Sequence, residues 1–480
     1  MVAHRTPAPE VEGFVNAFVD DVADGTAAIF AGAGLSVASG HVNWSGLLKD
    51  IASELGLDVD REHNLVAVAQ YHLNARGTRS RLNQKLIDEF SAGHRINANH
   101  KILARLPIAT YWTTNYDKLI ETALEAEGKV VDVKFTVDQL KTTRRGRDVT
   151  VYKMHGDVTD AEHAVLTKDD YEGYFRDHEP FVTALAGDLV SKTLLFIGFS
   201  FTDPNIDYIM SRVRVVLRQK TKQHYCILRR EARRSKERTA DFQYRQRQQD
   251  YFIRDLTRIG IQALLIDEYA ELTQILGLVE ARLRQRKVFI SGSAYAFDPF
   301  RPDDAARLIE GIGSELVTRR FGIVTGFGLG VGPSVIAGAM QTMLRDPTRY
   351  RPSQLEARPF PVTDDASTSR KSLYEGHRQA MLSRCGIAVF LFGNKRDAKG
   401  AIVEADGVRE EYALAKSLGL KVVAVGCTGS VAGDIWAKEG PAMAGLPAAA
   451  RKAYQTLGNP KASQAQLIAA LMTVVEAVRD

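Results

Sequence analysis

The stretch Ala27-Ala28-Ile29-Phe30-Ala31-Gly32-Ala33-Gly34-Leu35-Ser36 decides how this chain folds. A short apolar run with strand character empties into a glycine loop and a serine. The plan recurs twice. Ile108-Ala109-Thr110-Tyr111-Trp112 leads into Thr113-Thr114-Asn115-Tyr116-Asp117, and Val149-Thr150-Val151-Tyr152 leads into Met154-His155-Gly156-Asp157. Glycines and polar side chains at the ends of successive strands are what a nucleotide site on a parallel sheet requires. Further strands are expected at 193–197, 225–228 and 262–266, and helical apolar spacing at Leu65, Val68, Ala69, His72 and Leu73 marks a mostly helical insertion over 44–106. Strands alternating with helices predict a doubly wound, Rossmann-like α/β domain.

These residues resemble the signature of sirtuin-like NAD-consuming domains: a Gly-Ala-Gly-x-Ser loop, an Asn-x-Asp segment and a His-Gly pair. A fourth segment, Phe196-Ile197-Gly198-Phe199-Ser200-Phe201-Thr202-Asp203-Pro204-Asn205, resembles one found in the bacterial defence branch of that superfamily. The matches span roughly the first 280 residues. The resemblance implies a small helical module after the first strand, NAD as substrate, and catalytic roles for Asn115 and His155. It also implies NAD contacts from Gly32, Ala33, Gly34, Ser36, Thr114, Asp117, Gly198 and Ser200.

The chemistry suits those residue types. The bond from ribose to nicotinamide breaks through an oxocarbenium-like state, because the pyridinium is already a good leaving group. A polar group must hold the ribose or a water, and a base must take a proton. The Asn115 amide offers a donor and an acceptor for the first task. The His155 imidazole titrates near neutrality and suits the second. Gly32 and Gly34 let the backbone approach a pyrophosphate, with Ser36 adding a hydroxyl; a tight turn without ligand is the plain alternative. Asp117 either orients the Asn115 loop or caps the next helix. Ser200 is expected at the adenosine half, and Asp203 and Asn205 to shape the turn around Pro204.

Composition narrows the classes. A chain of 480 residues holds two or three domains, since one core seldom grows past about 250–300 residues. The first residues lack the apolar stretch of a secretory signal, and no run approaches the roughly 18–20 apolar residues of a membrane span, so a cytoplasmic protein is expected. Cys226, Cys385 and Cys427 are the only cysteines; so spaced, they build no zinc module and no disulfide framework. Deacylating sirtuins carry a four-cysteine zinc ribbon, so that alternative is disfavoured, as is a sensor of NAD or ADP-ribose without turnover, which has no need of His155. No metal is expected. Basic residues gather over 212–258, and a nucleic-acid surface would use them. The interleaved acidic and glutamine residues favour a solvated helical face or a subunit contact instead.

A helix over 269–286 leads directly into Val288-Phe289-Ile290-Ser291-Gly292-Ser293. The expected division is therefore 1–283 and 284–480, two closely packed domains with no long linker. The second also alternates: a strand over 321–325, a glycine loop over 326–332, a loop over 346–365, a helix over 370–384, strands over 387–392 and 421–425, and a closing helix capped by Ser463. It resembles the SLOG nucleotide-binding family but lacks the Pro-Gly-Gly-x-Gly-Thr-x-x-Glu segment of the related LOG hydrolases, which implies ligand sensing. The expected ligand shell is Gly292, Ser293, Gly328 and Gly330 for phosphate, Arg378 gripping it bidentately, Lys395 as a point charge and Glu410 for ribose hydroxyls.

A sirtuin-like domain followed by a SLOG domain resembles the NADase effectors of Thoeris antiphage defence over nearly the whole chain. That resemblance implies an NAD+ glycohydrolase that depletes cellular NAD. It further implies an enzyme silent until a cyclic ADP-ribose isomer, made by a partner TIR-domain protein, binds the SLOG pocket, and homotetramers formed through the sirtuin-like domains.

Overall fold

β1 (Ala27–Ala31) and β5 (Thr193–Ile197) are buried at every position, as strands covered on both faces are. They pair in parallel with Ile29 opposite Leu195. β2 (Thr110–Thr113), β4 (Val149–Lys153) and β3 (Val131–Lys134) extend the sheet beyond β1. β6 (His224–Arg229) and β7 (Ile261–Ile266) extend it beyond β5. The order is β3-β4-β2-β1-β5-β6-β7, with every pairing parallel. The chain winds away from β1 to the edge strand β3, steps back inward to β4, then crosses to resume at β5. Winding reverses between β1 and β5, and ligands of open α/β sheets sit outside the carboxyl ends of the strands at such a point.

This computed structural model describes residues 8–41, 44–62, 64–91, 93, 95–201, 203–217, 222–361 and 370–479. The opening residues 1–7, Thr202 of the fourth segment, residues 362–365 of the expected loop, and the basic side chains of 212–218 lie outside the described part. Two compact units divide the chain at Glu280 and Ala281.

In the first unit, the insertion after β1 is four helices, Trp44–Glu54, Leu65–Arg76, Ser80–Phe90 and Ala98–Arg105. Leu48, Ile51, Val68, Leu82 and Leu86 build its core, and Tyr116 and Leu166 belong to the same cluster. The module thereby seats itself on the loop that carries Asn115. In the basic region, Arg230, Arg238, Arg245 and Arg258 pair with Asp267, Asp241, Glu237 and Asp255. The helix Thr239–Arg258 buries only Leu256, the pattern of a solvated face.

The second unit is a smaller sheet. β8 (Lys287–Ser293), β9 (Gly322–Thr325), β10 (Leu355–Ala357), β11 (Ile387–Phe392) and β14 (Lys421–Ala424) run parallel in the order β10-β9-β8-β11-β14. β12 (Asn394–Arg396) and β13 (Ile402–Glu404) form a separate antiparallel hairpin. β10 lies inside the stretch expected to be loop. Ser463 starts the last helix as expected: its Oγ accepts from Gln466 N at 3.3 Å while its own N–H reaches Gln466 Oε1 at 2.8 Å, a capping box.

All three cysteines are free and buried. Among the described residues, no group of three or more His, Cys, Asp or Glu is placed to hold a metal ion, and no helix is long and apolar enough to cross a membrane.

Candidate functional site

Four loops meet at the carboxyl ends of β1, β2, β4 and β5. Gly32 N donates to Ile197 O, and Gly34 N to Gly198 O, both at 2.9 Å. A Cβ on Gly32 would lie 2.4 Å from Gly198 O, and one on Gly198 would lie 2.3 Å from Leu35 N. Gly198 also holds φ +64°, the left-handed region that a side chain resists. These glycines are there because two strand-end loops interlock. The amides of Gly32 and Gly34 are both engaged across this joint. Ala33 and Ser200 are exposed on the same two loops.

Asn115 is 7% exposed. Its Nδ2 donates to Gly32 O at 3.1 Å and to Ser36 Oγ at 3.2 Å. With both amide hydrogens committed, Oδ1 remains as the acceptor, where the sequence suggested a donor and an acceptor. Ser36 is buried, and its Oγ accepts from Asn115 while its own O–H remains a donor. Thr114 is half-buried beside it. Asp117 Oδ1 accepts from Leu119 N at 3.0 Å, starting the helix Leu119–Ala126. Asp117 Oδ2 is buried without a partner.

Thr113 is the register partner of Lys153, and Asn115 and His155 each stand two residues further on. They leave neighbouring strands at the same level. His155 is 4% exposed. Its Nε2 lies 3.1 Å from Asp203 Oδ2, and its ring meets Tyr171 and Tyr174 edge-on at 5.4 and 6.2 Å. Asp203 Oδ1 accepts from the Asn205 and Ile206 amides at 2.9 and 3.2 Å. Burial opposes the Asp203 charge, yet His155 and those amides hold its pKa below the ordinary carboxylate value. Asp203 thus shapes the turn, as expected, and also faces His155, which sequence reasoning missed although its segment was in view.

Lys153 went unnoticed in the sequence. It is fully buried, and its Nζ donates to Tyr116 O at 3.1 Å, Asp117 O at 2.6 Å and Asp157 Oδ2 at 2.5 Å. Glu121 Oε1 lies 3.1 Å away. One ammonium therefore ties the loop after β2 to the loop after β4. Burial works against its charge, but Glu121 and Asp157 hold its pKa above the ordinary lysine value. Asp157 sits below its ordinary value against the cost of burial, because Lys153 faces it. Burial pushes Glu121 up.

In the second unit, Ser291, Gly292 and Ser293 line a cavity of about 300 Å³ together with Gly326, Gly328, Phe360, Arg378 and Glu411. Arg378 is 9% exposed and lies against the rings of Phe360 and Tyr374, 5.2 and 5.9 Å from their centroids. It pairs with the half-exposed Glu410, and its Nε is 3.9 Å from Glu411 Oε1. Glu411 was not anticipated. Its Oε2 accepts from Ser291 Oγ at 2.6 Å, and burial pushes its pKa up to about 7. Two expectations are corrected. Lys395 pairs with Asp406 at 2.5 Å and lines a different, open depression with Asn394 and Glu404. Gly330 is not on the cavity wall; it has φ +69°, and a Cβ there would lie 2.3 Å from Ala294 O, so it serves the folding of its own loop.

Residues 109–256 match the SIR2-like domain family, and residues 271–478 match the Sir2- and TIR-associating SLOG family. The chain is 46% identical over 473 residues to NAD(+) hydrolase ThsA of Bacillus cereus, covering 98% of each. It is 44% identical over 427 residues to NAD(+) hydrolase ThsA of Acinetobacter baumannii, covering 88% of this chain and 89% of that one. A protein of the same name from Cytobacillus dafuensis is 43% identical over 437 residues, covering 89% and 88%.

Proposed function

This chain belongs to the ThsA family of NAD(+) hydrolases, and on that premise we propose that it cleaves the nicotinamide–ribose bond of NAD+ at the loops after β1, β2, β4 and β5. The observation that carries the reading is the pairing of Asn115 with His155, each two residues beyond register partners, with the amide of Asn115 fixed by the glycine loop. Oδ1 of Asn115 accepts a hydrogen bond from a ribose hydroxyl, fixing the ring, or from the water that attacks the anomeric carbon. As nicotinamide leaves with its bonding electrons, positive charge spreads over the ring oxygen and C1′. The oxygen of water bonds to C1′, and His155 accepts the proton, help worth about 10²–10⁴-fold. Asp117 Oδ2, buried and unpartnered, is an acceptor suited to a carboxamide N–H. The pyrophosphate relies on amides other than those of Gly32 and Gly34, with Ala33 and Ser200 on the exposed side.

The cavity around Arg378 is the regulatory half of the proposal. Its ligand is a cyclic ADP-ribose isomer supplied by a TIR-domain protein, in keeping with the match to a Sir2- and TIR-associating family. Guanidinium, glycine amides and aromatic faces suit phosphate and adenine. Such a ligand activates only by binding the active arrangement more tightly than the resting one. Antiphage defence through NAD depletion, and assembly into tetramers, belong to the same proposal. The test is to incubate the full-length protein with NAD+, with and without cyclic ADP-ribose isomers, and follow nicotinamide by chromatography. Asn115→Ala and His155→Ala abolish release; undiminished release in both variants refutes the site.

A further inference from the structure

The scheme above uses His155 as base and leaves Asp203 idle. Yet Asp203 is a carboxylate with divided duties, its side chain only 10% exposed. Oδ1 is pinned by the Asn205 and Ile206 amides, which leaves Oδ2 facing His155 Nε2 at 3.1 Å. No other hydrogen-bond partner reaches that nitrogen among the described residues. We infer that Asp203 is a positioning residue for the base: its Oδ2 keeps the neutral imidazole protonated on Nε2, leaves the lone pair on Nδ1, and stabilises the imidazolium that forms.

The surroundings make the arrangement directional. The titratable groups facing the ring are Asp203, Tyr171 and Tyr174, with His178 stacked behind Tyr174 at 4.6 Å. Burial raises both tyrosines well above their ordinary values and lowers His178, with Tyr171 also hydrogen-bonded to Asp203, so among the described residues Asp203 is the facing charge at neutral pH. Tyr174 is itself fixed, its hydroxyl donating to Met154 O at 3.0 Å. The step balances simply. The C1′–N bond breaks, with its electron pair going to nicotinamide; water oxygen bonds to C1′; one water proton passes to His155 Nδ1 and then to solvent. Asp203 remains ionised throughout. Its role is electrostatic and tautomeric, in the manner of the carboxylate behind the histidine of hydrolytic triads.

The inference rests on the NAD+ cleavage proposed above, and the test separates the two. Full-length Asp203→Asn and Asp203→Ser both retain a side chain able to start the helix Pro204–Leu217. Nicotinamide release is measured for kcat and KM across pH, alongside melting temperature and an NMR titration of His155 in histidine-labelled protein without NAD+. Expected are a kcat lower by at least about tenfold, a KM within about twofold, and an acid limb and His155 titration both moved to lower pH on loss of the facing carboxylate. A purely structural Asp203 lowers the melting temperature and leaves the titration where it was. An unmoved His155 titration, or an unchanged kcat, in folded Asp203→Asn overturns the inference. If the wild-type protein releases no nicotinamide even with cyclic ADP-ribose isomers present, the cleavage reading falls, and the titration alone still decides whether Asp203 governs His155.

Discussion

Replacing Lys153 by methionine removes the only charge-bearing atom of a side chain of similar length. Asp157, 2% exposed, and Glu121, 6% exposed, then lose this counter-ion, which leaves Asp157 with Lys118 at 3.9 Å, and two backbone carbonyls lose a donor. Deleting one partner of a buried ion pair costs about 3–5 kcal/mol. At about 2–4 °C per kcal/mol for domains of this size, the melting transition of residues 1–280 falls by roughly 6–20 °C. The pH dependence has a definite sign. The raised pKa of Lys153 makes its contribution complete below about 10.4, with loss only as pH climbs through the folded value. The lowered pKa of Asp157 makes its contribution complete above about 3.9, with loss as pH falls through the folded value. The deficit of Lys153→Met therefore shrinks in strong acid, where protonated Asp157 and Glu121 no longer need a counter-ion. Adding Asp157→Asn recovers more stability than adding Glu121→Gln, because Glu121, already pushed up by burial, sheds its charge by taking a proton. Calorimetry of the full chain decides the matter. A fall under about 2 °C, or a deficit that widens in acid, refutes the role given to this ammonium.

Gly198→Ala places a Cβ against Leu35 N at φ +64°; left-handed strain of about 1–2 kcal/mol plus overpacking of about 1–3 kcal/mol lowers the denaturant midpoint, and an unchanged midpoint contradicts the interlocked loops. Glu411 has a pKa raised to about 7, so its contribution is full below about 4.3 and is lost as pH rises through about 7. A loss of about 3 kcal/mol over that window disappears in Glu411→Gln, read as the pH dependence of the difference in melting temperature. Arg378→Ala raises the concentration of cyclic ADP-ribose isomer needed for half-maximal nicotinamide release by at least about tenfold, the worth of one charge-assisted contact; an unshifted curve moves the sensor elsewhere.

The sheet of the first unit was legible because β1, β2, β4 and β5 are apolar runs ending in polar or glycine-rich loops. β3 was not: Val131-Asp132-Val133-Lys134 is four residues long and half charged, and becomes a strand because β4 offers a free edge and Asp132 pairs with Lys134 at 2.8 Å. β10 has only three residues and depends on β9 in the same way. Residue types chose Asn115 and His155, but types do not reveal what holds them. A lysine reads as a surface residue, and only the fold encloses Lys153 between two loops. Glu410 and Glu411 are adjacent in sequence, so helical phase alone decides which enters the cavity. The glycines of the first loop also make room for the backbone of the turn after β5, a demand that residue types alone do not reveal.

That joint between strand ends constrains how the protein can be altered. Gly32, Gly34 and Gly198 interleave backbone with backbone, so neither turn has slack to absorb an insertion or an exchanged segment from a relative. Chimeras that transplant the first turn without its counterpart after β5 lose the fit and, through Gly32 O, the grip on Asn115. The two turns are a single inheritable part, separated by more than 160 residues of chain.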